Sequence, residues 1–201
     1  MVKLYVEGGG DYDFLRAKCR QGFNEFLQKA GFKGNMPRIV ACGGRANAFD
    51  RFTTALSQGE TAFLLLDSED LVLVSSPWEH LRLRTGDKFE KPPAARDDQC
   101  HLMVVCMEAW FLADKPLLVT FFGQGFNGNV LPARKDIEQI SKSELFTALA
   151  RATKTCKTKA PYDKGEHSFD LLGRIDPAVV RKASPWADRF INALATAMQI
   201  A

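Results

Sequence analysis

The order of apolar and polar positions along the chain predicts strands that alternate with helices. Residues 2–6 alternate polar and apolar side chains, and residues 11–30 place apolar side chains three and four positions apart, as one face of a helix does. A second strand and helix are predicted at residues 37–42 and 45–57. Residues 61–66 are apolar without alternation, which is typical of a strand that is covered on both faces.

The second half of the chain predicts one more strand and mainly helices. A buried strand is expected at residues 101–107, and residues 70–98 stay unassigned, with a loop around the Pro92-Pro93 pair. Glycines and aromatic residues at 119–130 indicate a small hairpin or an ordered loop. Helices are predicted at residues 108–114, 142–152, 168–174 and from 185 to the end.

This alternation predicts an α/β fold. Strands joined by crossover helices form an open, mostly parallel Rossmannoid sheet with helices on both faces. We expect the common strand order 2-1-3-4 and a single domain over residues 1–201. Its core would be residues 1–118, and residues 119–201 would form a hairpin or loop and a helical C-terminal extension.

Composition fits a globular chain and excludes several other classes. Of the 201 residues, 46% are hydrophobic and 25% are charged, which excludes a disordered or collagen-like chain. No apolar run is long enough for a membrane span, and the N-terminal residues lack a signal core, so we expect a cytoplasmic protein. The five cysteines form no C-x-x-C pair, which favours reduced thiols over zinc.

Carboxylates follow three of the predicted strands. Glu7 ends the first strand, Asp67, Glu69 and Asp70 follow the third, and Glu108 follows the fourth. The carboxyl ends of neighbouring parallel strands meet at one edge, so these acids are expected to converge. Clustered carboxylates repel one another and are stabilised by a hard divalent cation, which predicts Mg²⁺ or Mn²⁺.

The first predicted turn is suited to binding phosphate. Gly8, Gly9 and Gly10 allow the backbone to approach an anion at the start of the next helix. The turn lacks the Gly-Lys-Ser/Thr ending of a P-loop and is not G-x-G-x-x-G, which excludes kinase, ATPase and dinucleotide-binding functions. Arg45, after the second strand, lies at the same sheet edge and could hold a phosphate.

Further basic and titratable residues are candidates for contacting a substrate. The net charge of +3 is too small to indicate nucleic-acid binding by itself, but Lys164 belongs to the densest basic segment, residues 151–174. His167 is a candidate proton-transfer or phosphate partner, with Ser168 as a helix cap. Each motif also has a structural explanation: glycines form turns, Glu108 could cap a helix, and acids at strand ends can simply be solvated.

The motifs resemble a known family. The EGGGD turn and the LLLDSED strand end resemble the Toprim domain of topoisomerases, primases and overcoming-lysogenization-defect nucleases. MEAWFLAD and PYDKGEHSFDLL resemble a bacterial family of uncharacterised Toprim-like proteins often encoded beside an ATPase. The resemblance implies that Glu7 is a general acid or base and that Asp67 is the first metal-binding aspartate. Glu69 takes the place of the second aspartate, which departs from the Toprim pattern by one methylene.

The expected function is a Mg²⁺-dependent nuclease that acts on DNA or RNA. The resemblance further implies a subunit of an anti-phage defence system with an ATPase partner. An alternative is a catalytically silent Toprim-like subunit that docks on such an ATPase. A third is phosphoryl transfer to or from a small phosphoester by the same acids. Oligomeric state is left open.

Overall fold

The computed structural model describes residues 1–200 and contains a four-stranded parallel sheet surrounded by helices. The strands are β1 (Lys3–Val6), β2 (Arg38–Ala41), β3 (Ala62–Asp67) and β4 (Cys100–Met103). The α-helices are α1 (Asp13–Leu27), α2 (Arg45–Ser57), α3 (Pro77–Leu83), α4 (Lys115–Phe122), α5 (Lys142–Thr153), α6 (Lys164–Arg174), α7 (Pro177–Ala183) and α8 (Pro185–Ala197). A π-helical turn (Gln28–Phe32) continues α1, and short 3₁₀ segments lie at Asp97–Gln99, Met107–Ala113, Gly128–Val130 and Ile137–Gln139.

The strand order is β2-β1-β3-β4, and every pairing is parallel, which confirms the predicted α/β open sheet. The helices α1 and α2 return the chain to the same end of the sheet after β1 and β2. The carboxyl ends of β1 and β3 therefore lie side by side, since Val6 pairs with Leu65 in register. This register brings Glu7 next to the end of β3.

The strand β3 is buried on both faces, as its apolar pattern predicts. Phe63 and Leu65 belong to the larger hydrophobic cluster, which includes α1 and the C-terminal helices. Leu64 and Leu66 belong to the cluster under α2 and α3. Because side chains alternate along a strand, one apolar run supplies both layers of the core.

Helices from the two ends of the chain pack closely against each other. Gly22 of α1 lies against α6, and a Cβ at that position would come 2.5 Å from the backbone oxygen of Phe169. Only glycine permits this approach. The contact fixes the start of α6 near the end of β1. None of the described helices has both the length and the apolar character needed to cross a membrane.

The hairpin or loop predicted at residues 119–130 is confirmed as a loop only from residue 123, and the prediction was wrong for residues 119–122. Residues up to Phe122 belong to α4, whose first turn contains Pro116, and the Asp114 side chain accepts a hydrogen bond from the N–H of Leu117. Proline is tolerated in the first turn of a helix, and Asp is a favoured cap. Pro116 therefore both follows the end of the preceding 3₁₀ segment and begins α4. The helices α3 and α7 were not predicted.

The fourth strand is shorter than expected. It ends at Met103 instead of continuing to residue 107, and the chain turns at Val105, which has a φ of 62°. A β-branched residue rarely adopts this left-handed conformation. The predicted helix after the strand is a 3₁₀ segment, Met107–Ala113.

Candidate metal and phosphate site

Three carboxylates converge at the carboxyl ends of β1 and β3. One oxygen each from Glu7, Asp67 and Glu69 lies within 4.8 Å of the others. The backbone N–H of Asp67 also donates to Glu7 Oε2 at 3.3 Å. The structure therefore brings Glu7 together with two acids that lie 60 and 62 residues later in the sequence.

A strained turn positions Glu69. Its φ is 68°, and its backbone N–H donates to the carbonyl of Val105, which is itself left-handed. The Ser68 hydroxyl donates to the carbonyl of Asp70 and accepts from the N–H of Val105. Two neighbouring non-glycine residues in this conformation cost about 1–3 kcal/mol each, and such strain is concentrated at functional sites.

Arg45 holds the carboxylates in place. Its Nη1 donates to Glu7 Oε2 at 3.3 Å and to the carbonyl oxygen of Asp67 at 3.0 Å, and it lies 3.7 Å from Glu69 Oε1. Its Nε and Nη2 donate to the buried carboxylate of Asp87 at 2.6 and 2.5 Å. The guanidinium is thus engaged with protein groups, and its geometry supports positioning of the acids more directly than binding of a phosphate.

The side chain of Asp67 is almost fully buried. Its Oδ1 accepts from the backbone N–H of Met107 at 2.9 Å, and its Oδ2 lies 3.8 Å from Lys164 Nζ. Burial raises the pKa of Asp67 to about 8, and the nearby carboxylates of Glu108 and Glu7 add to the rise, although Lys164 opposes it. Burial likewise raises the pKa of Glu7, against the effect of Arg45. Burial is thus the main cause of both raised pKa values, since cationic side chains already lie within 4.0 Å of the three carboxylates.

Glu108 forms a second buried group beside Asp67. It is fully buried, and its Oε1 lies 3.3 Å from Lys164 Nζ and accepts a hydrogen bond from the Tyr162 hydroxyl at 3.3 Å. Its Oε2 has no hydrogen-bond partner among the described residues. The pKa of Tyr162 is raised by burial and then by Glu108, and that of Lys164 is raised by its two carboxylates despite burial.

The helix α6 begins four residues earlier than predicted, and this places Lys164 at the site. The N-cap is Asp163, whose side chain accepts from the N–H of Glu166 at 2.9 Å, whereas the predicted cap, Ser168, lies within the helix and donates to the carbonyl of Lys164. The Asp-x-x-Glu spacing is a capping signal that is visible in the sequence. The start of α6, including Gly165, faces the pocket.

A pocket of about 230 Å³ adjoins the carboxylates. The glycine turn forms one wall, and all three glycines have positive φ, of 141°, 86° and 51°. A Cβ at Gly9 would lie 2.6 Å from the backbone of α1. The start of α6 forms the opposite wall. The pocket is lined by Gly8, Gly9, Gly10, Glu7, Asp67, Glu69, Met103, Met107, Lys164, Gly165, Ser168, Phe169, Leu15 and Gly43.

Four candidate residues do not line this pocket: Arg45 and Glu108, which contact its charged groups from outside, and Asp70 and His167, which do not. Asp70 is exposed and pairs with Arg84 at 3.1 Å. His167 is buried against the rings of Phe121, Phe122 and Tyr162, and its Nδ1 accepts from the N–H of Asp163 at 3.0 Å. The structure therefore gives His167 a place in the packing of α6, not in the pocket.

The donor set is suited to a hard divalent cation. Carboxylate oxygens are the ligands that Mg²⁺ and Mn²⁺ prefer. Two oxygens that bind one Mg²⁺ at about 2.1 Å lie no more than about 4.2 Å apart, so the widest pair would have to close by about half an ångström or bind through water. Glu7, Asp67 and Glu69 would hold the ion.

The sequence analysis missed three residues of this site. Lys142 pairs with Glu69, Asp87 fixes Arg45, and Tyr162 contacts Glu108. Their positions depend on α5, on the chain after α3 and on the segment before α6, and no local spacing in the sequence links them to the strand ends.

The fold and the site together define an α/β open-sheet protein with a carboxylate cluster and a glycine turn at the carboxyl edge of its sheet. The chain belongs to the family described as a domain of unknown function (DUF4276), whose model matches residues 6–195. No curated protein and no solved structure matches the chain.

Proposed function

We propose that the protein is a Mg²⁺-dependent phosphodiesterase of the Toprim type that cleaves DNA or RNA. The observation that carries the proposal is the convergence of Glu7, Asp67 and Glu69 within 4.8 Å beside a pocket with a glycine turn. A metal bound by these acids would supply positive charge to the scissile phosphate and activate water.

The residues around the carboxylates have separate roles in this proposal. The glycine turn brings backbone close to the non-bridging oxygens of the phosphate. Lys164 extends into the pocket and can balance negative charge there. Burial raises the pKa of Glu7, which is compatible with proton transfer between this side chain and a leaving oxygen when the carboxylate is not bound to the metal. Arg45, which is itself held by Asp87, keeps the carboxylates in position.

The test is cleavage of end-labelled DNA and RNA oligonucleotides with Mg²⁺ or Mn²⁺. We expect Glu7→Gln and Asp67→Asn to lose activity by at least about 100-fold, as loss of a metal ligand or a proton-transfer group does. Asp70→Asn is the matched control because this exposed acid follows the same strand but pairs with Arg84. Equal activity of wild type and both site variants would refute the assignment.

One observation favours a second candidate. Arg45, Lys142 and Lys164 already pair with the carboxylates, so protein cations alone could neutralise the cluster. In that case the chain is a catalytically silent subunit that docks on an ATPase partner, as the Toprim-like resemblance implies. Calorimetric titration with Mg²⁺ and Mn²⁺ separates the two candidates. Binding that is lost in Asp67→Asn supports the phosphodiesterase, whereas absence of binding to wild type supports the silent subunit.

A further inference from the structure

A basic groove lies along the open edge of the sheet, outside the candidate site. The strand β2 is at the edge, and its outer side is flanked by α1 and α2. The groove has a volume of about 340 Å³. Its four guanidinium groups come from three separate elements: Arg16 and Arg20 on α1, Arg38 on β2 and Arg51 on α2.

Most of this positive charge is not neutralised within the protein. None of Arg20, Arg38 and Arg51 has a carboxylate oxygen within 4.0 Å among residues 1–200. One carboxylate lines the groove, that of Asp13, and it lies 3.8 Å from Arg16. Arg16 also lies 4.0 Å from the carboxylate of Asp11, so the groove carries a local charge of about two once both aspartates are counted.

The groove adjoins the candidate site through one arginine. Arg16 Nε donates to the carbonyl oxygen of Gly10 at 3.0 Å, and Gly10 also lines the pocket beside the carboxylates. Gly43 lies two residues after the end of β2 and also lines the pocket, and a Cβ on it would lie 2.5 Å from that same oxygen. A ligand that extends along β2 would thus reach the glycine turn.

Two exposed aromatic residues lie near the start of α1. Tyr12 and Phe14 lie in the sequence between Gly10 and Arg16, and they are 73% and 67% exposed. Large apolar side chains at such exposure are available for stacking on a base. The Lys18 ammonium lies 5.0 Å from the centre of the Phe14 ring, which leaves the Tyr12 ring for stacking. A nucleic acid supplies phosphates for the arginines and bases for this ring, whereas an acidic peptide of Asp and Glu supplies only the charge, so the combination favours a nucleic acid.

We propose that the groove formed by α1, β2 and α2 binds the phosphodiester backbone of a nucleic acid and leads it to the glycine turn. The guanidinium groups bind phosphates, as arginine does in bidentate geometry. The proposal deepens the proposed function and rests on it for the reaction that the bound strand undergoes. Binding itself requires no cleavage, so the two can be tested separately.

The experiment measures binding of fluorescein-labelled oligonucleotides by anisotropy in EDTA, over a series of salt concentrations. The test protein is the triple variant Arg20→Gln, Arg38→Gln, Arg51→Gln. These three side chains belong to exposed residues, whereas Arg16 is left unchanged because it supports Gly10. The matched control is Lys33→Gln, Lys135→Gln, Lys182→Gln, which removes the same charge from exposed residues outside the groove and outside the basic segment 151–174. Thermal unfolding checks that both variants are folded.

We expect the groove variant to bind at least about tenfold more weakly at low salt. The slope of log affinity against log salt should fall by about two to three, since each phosphate contact contributes about 0.7 to 0.9. The lysine control should bind as wild type does. Equal binding by the groove variant and wild type, or no binding by wild type, overturns the groove proposal.

Two further comparisons identify the ligand and separate the proposals. Binding of poly-glutamate of equal charge in place of the oligonucleotide would overturn the assignment to nucleic acid and indicate an acidic protein partner. Binding through the groove by a wild type that cleaves nothing would leave the groove standing and refute the phosphodiesterase. A groove variant that binds and cleaves as wild type does would refute the groove and leave the phosphodiesterase standing.

Discussion

Substitution of the buried aspartate of the cluster should stabilise the metal-free protein. Burial raises the pKa of Asp67 to about 8, from an ordinary value of 3.8. The folded state therefore binds a proton more tightly than the unfolded state, and stability falls as pH rises from about 4 to 8. At pH 7 the rise corresponds to about 4 kcal/mol of lost stability, at about 1.4 kcal/mol per pH unit.

Asp67→Asn removes this cost only in part. The amide oxygen can still accept from the N–H of Met107, but the new NH₂ group is buried, and Lys164 loses one of its two carboxylates. We allow about 2 kcal/mol for these losses, so the net gain at pH 7 is about 2 kcal/mol. For a chain of this length that is a rise in Tm of about 4–8 °C.

The assay is thermal and urea unfolding of wild type and Asp67→Asn in EDTA at pH 5, 6, 7 and 8. The stability advantage of the variant should grow with pH. Saturating Mg²⁺ should then stabilise wild type by about 3 kcal/mol at 100 times Kd and leave the variant unchanged. A variant that is less stable than wild type in EDTA at pH 7, or an advantage independent of pH, would refute the reasoning.

Three further outcomes are expected. Gly9→Ala should lower the free energy of unfolding in urea by about 1–3 kcal/mol and weaken Mg²⁺ binding, because its Cβ would meet the backbone of α1. Gly10→Ala has open space around its Cβ and should bind Mg²⁺ more nearly as wild type does. Burial lowers the pKa of His101 to about 4, so an NMR titration should find its imidazole neutral down to about pH 5. Its neutral form contributes about 3 kcal/mol to the free energy of unfolding above pH 6.5, and this contribution should be lost as the pH falls to 4. Titration of His101 near pH 6.5 would contradict this. Lys164→Gln should destabilise by about 1–2 kcal/mol, since the buried Glu108 loses an ammonium 3.3 Å away, and Glu108→Gln should restore most of it in a double-mutant cycle.

The sheet could be predicted from the sequence because its signals are local. The apolar run before Asp67 marks a strand that is covered on both faces, and the glycines after Glu7 mark a turn into a helix. Once these strands are parallel neighbours, the convergence of their terminal acids follows from topology alone. That is why Glu7, Asp67 and Glu69 were found without any knowledge of side-chain packing.

Of the charged residues around the carboxylates, only Arg45 could be placed at this edge from its sequence position after the second strand. Lys142 and Asp87 act on the cluster from elements with no fixed sequence distance from the strands. Lys164 was a candidate only as part of a basic segment, and its true position depends on the start of α6 at Asp163 and on the close contact at Gly22. Tertiary packing decided these positions, and packing leaves little pattern in one sequence.

The burial and strain of the acids argue against the simplest structural explanation of them. Acids that merely end strands should be solvated, yet Asp67 is 5% exposed and Glu108 is fully buried with one oxygen unpartnered. Glu69 and Val105 adopt left-handed conformations at the same place. Folding alone would favour neutral side chains and relaxed backbone here. Since these costs coincide at the pocket, a function of the carboxylates explains them better than the fold does.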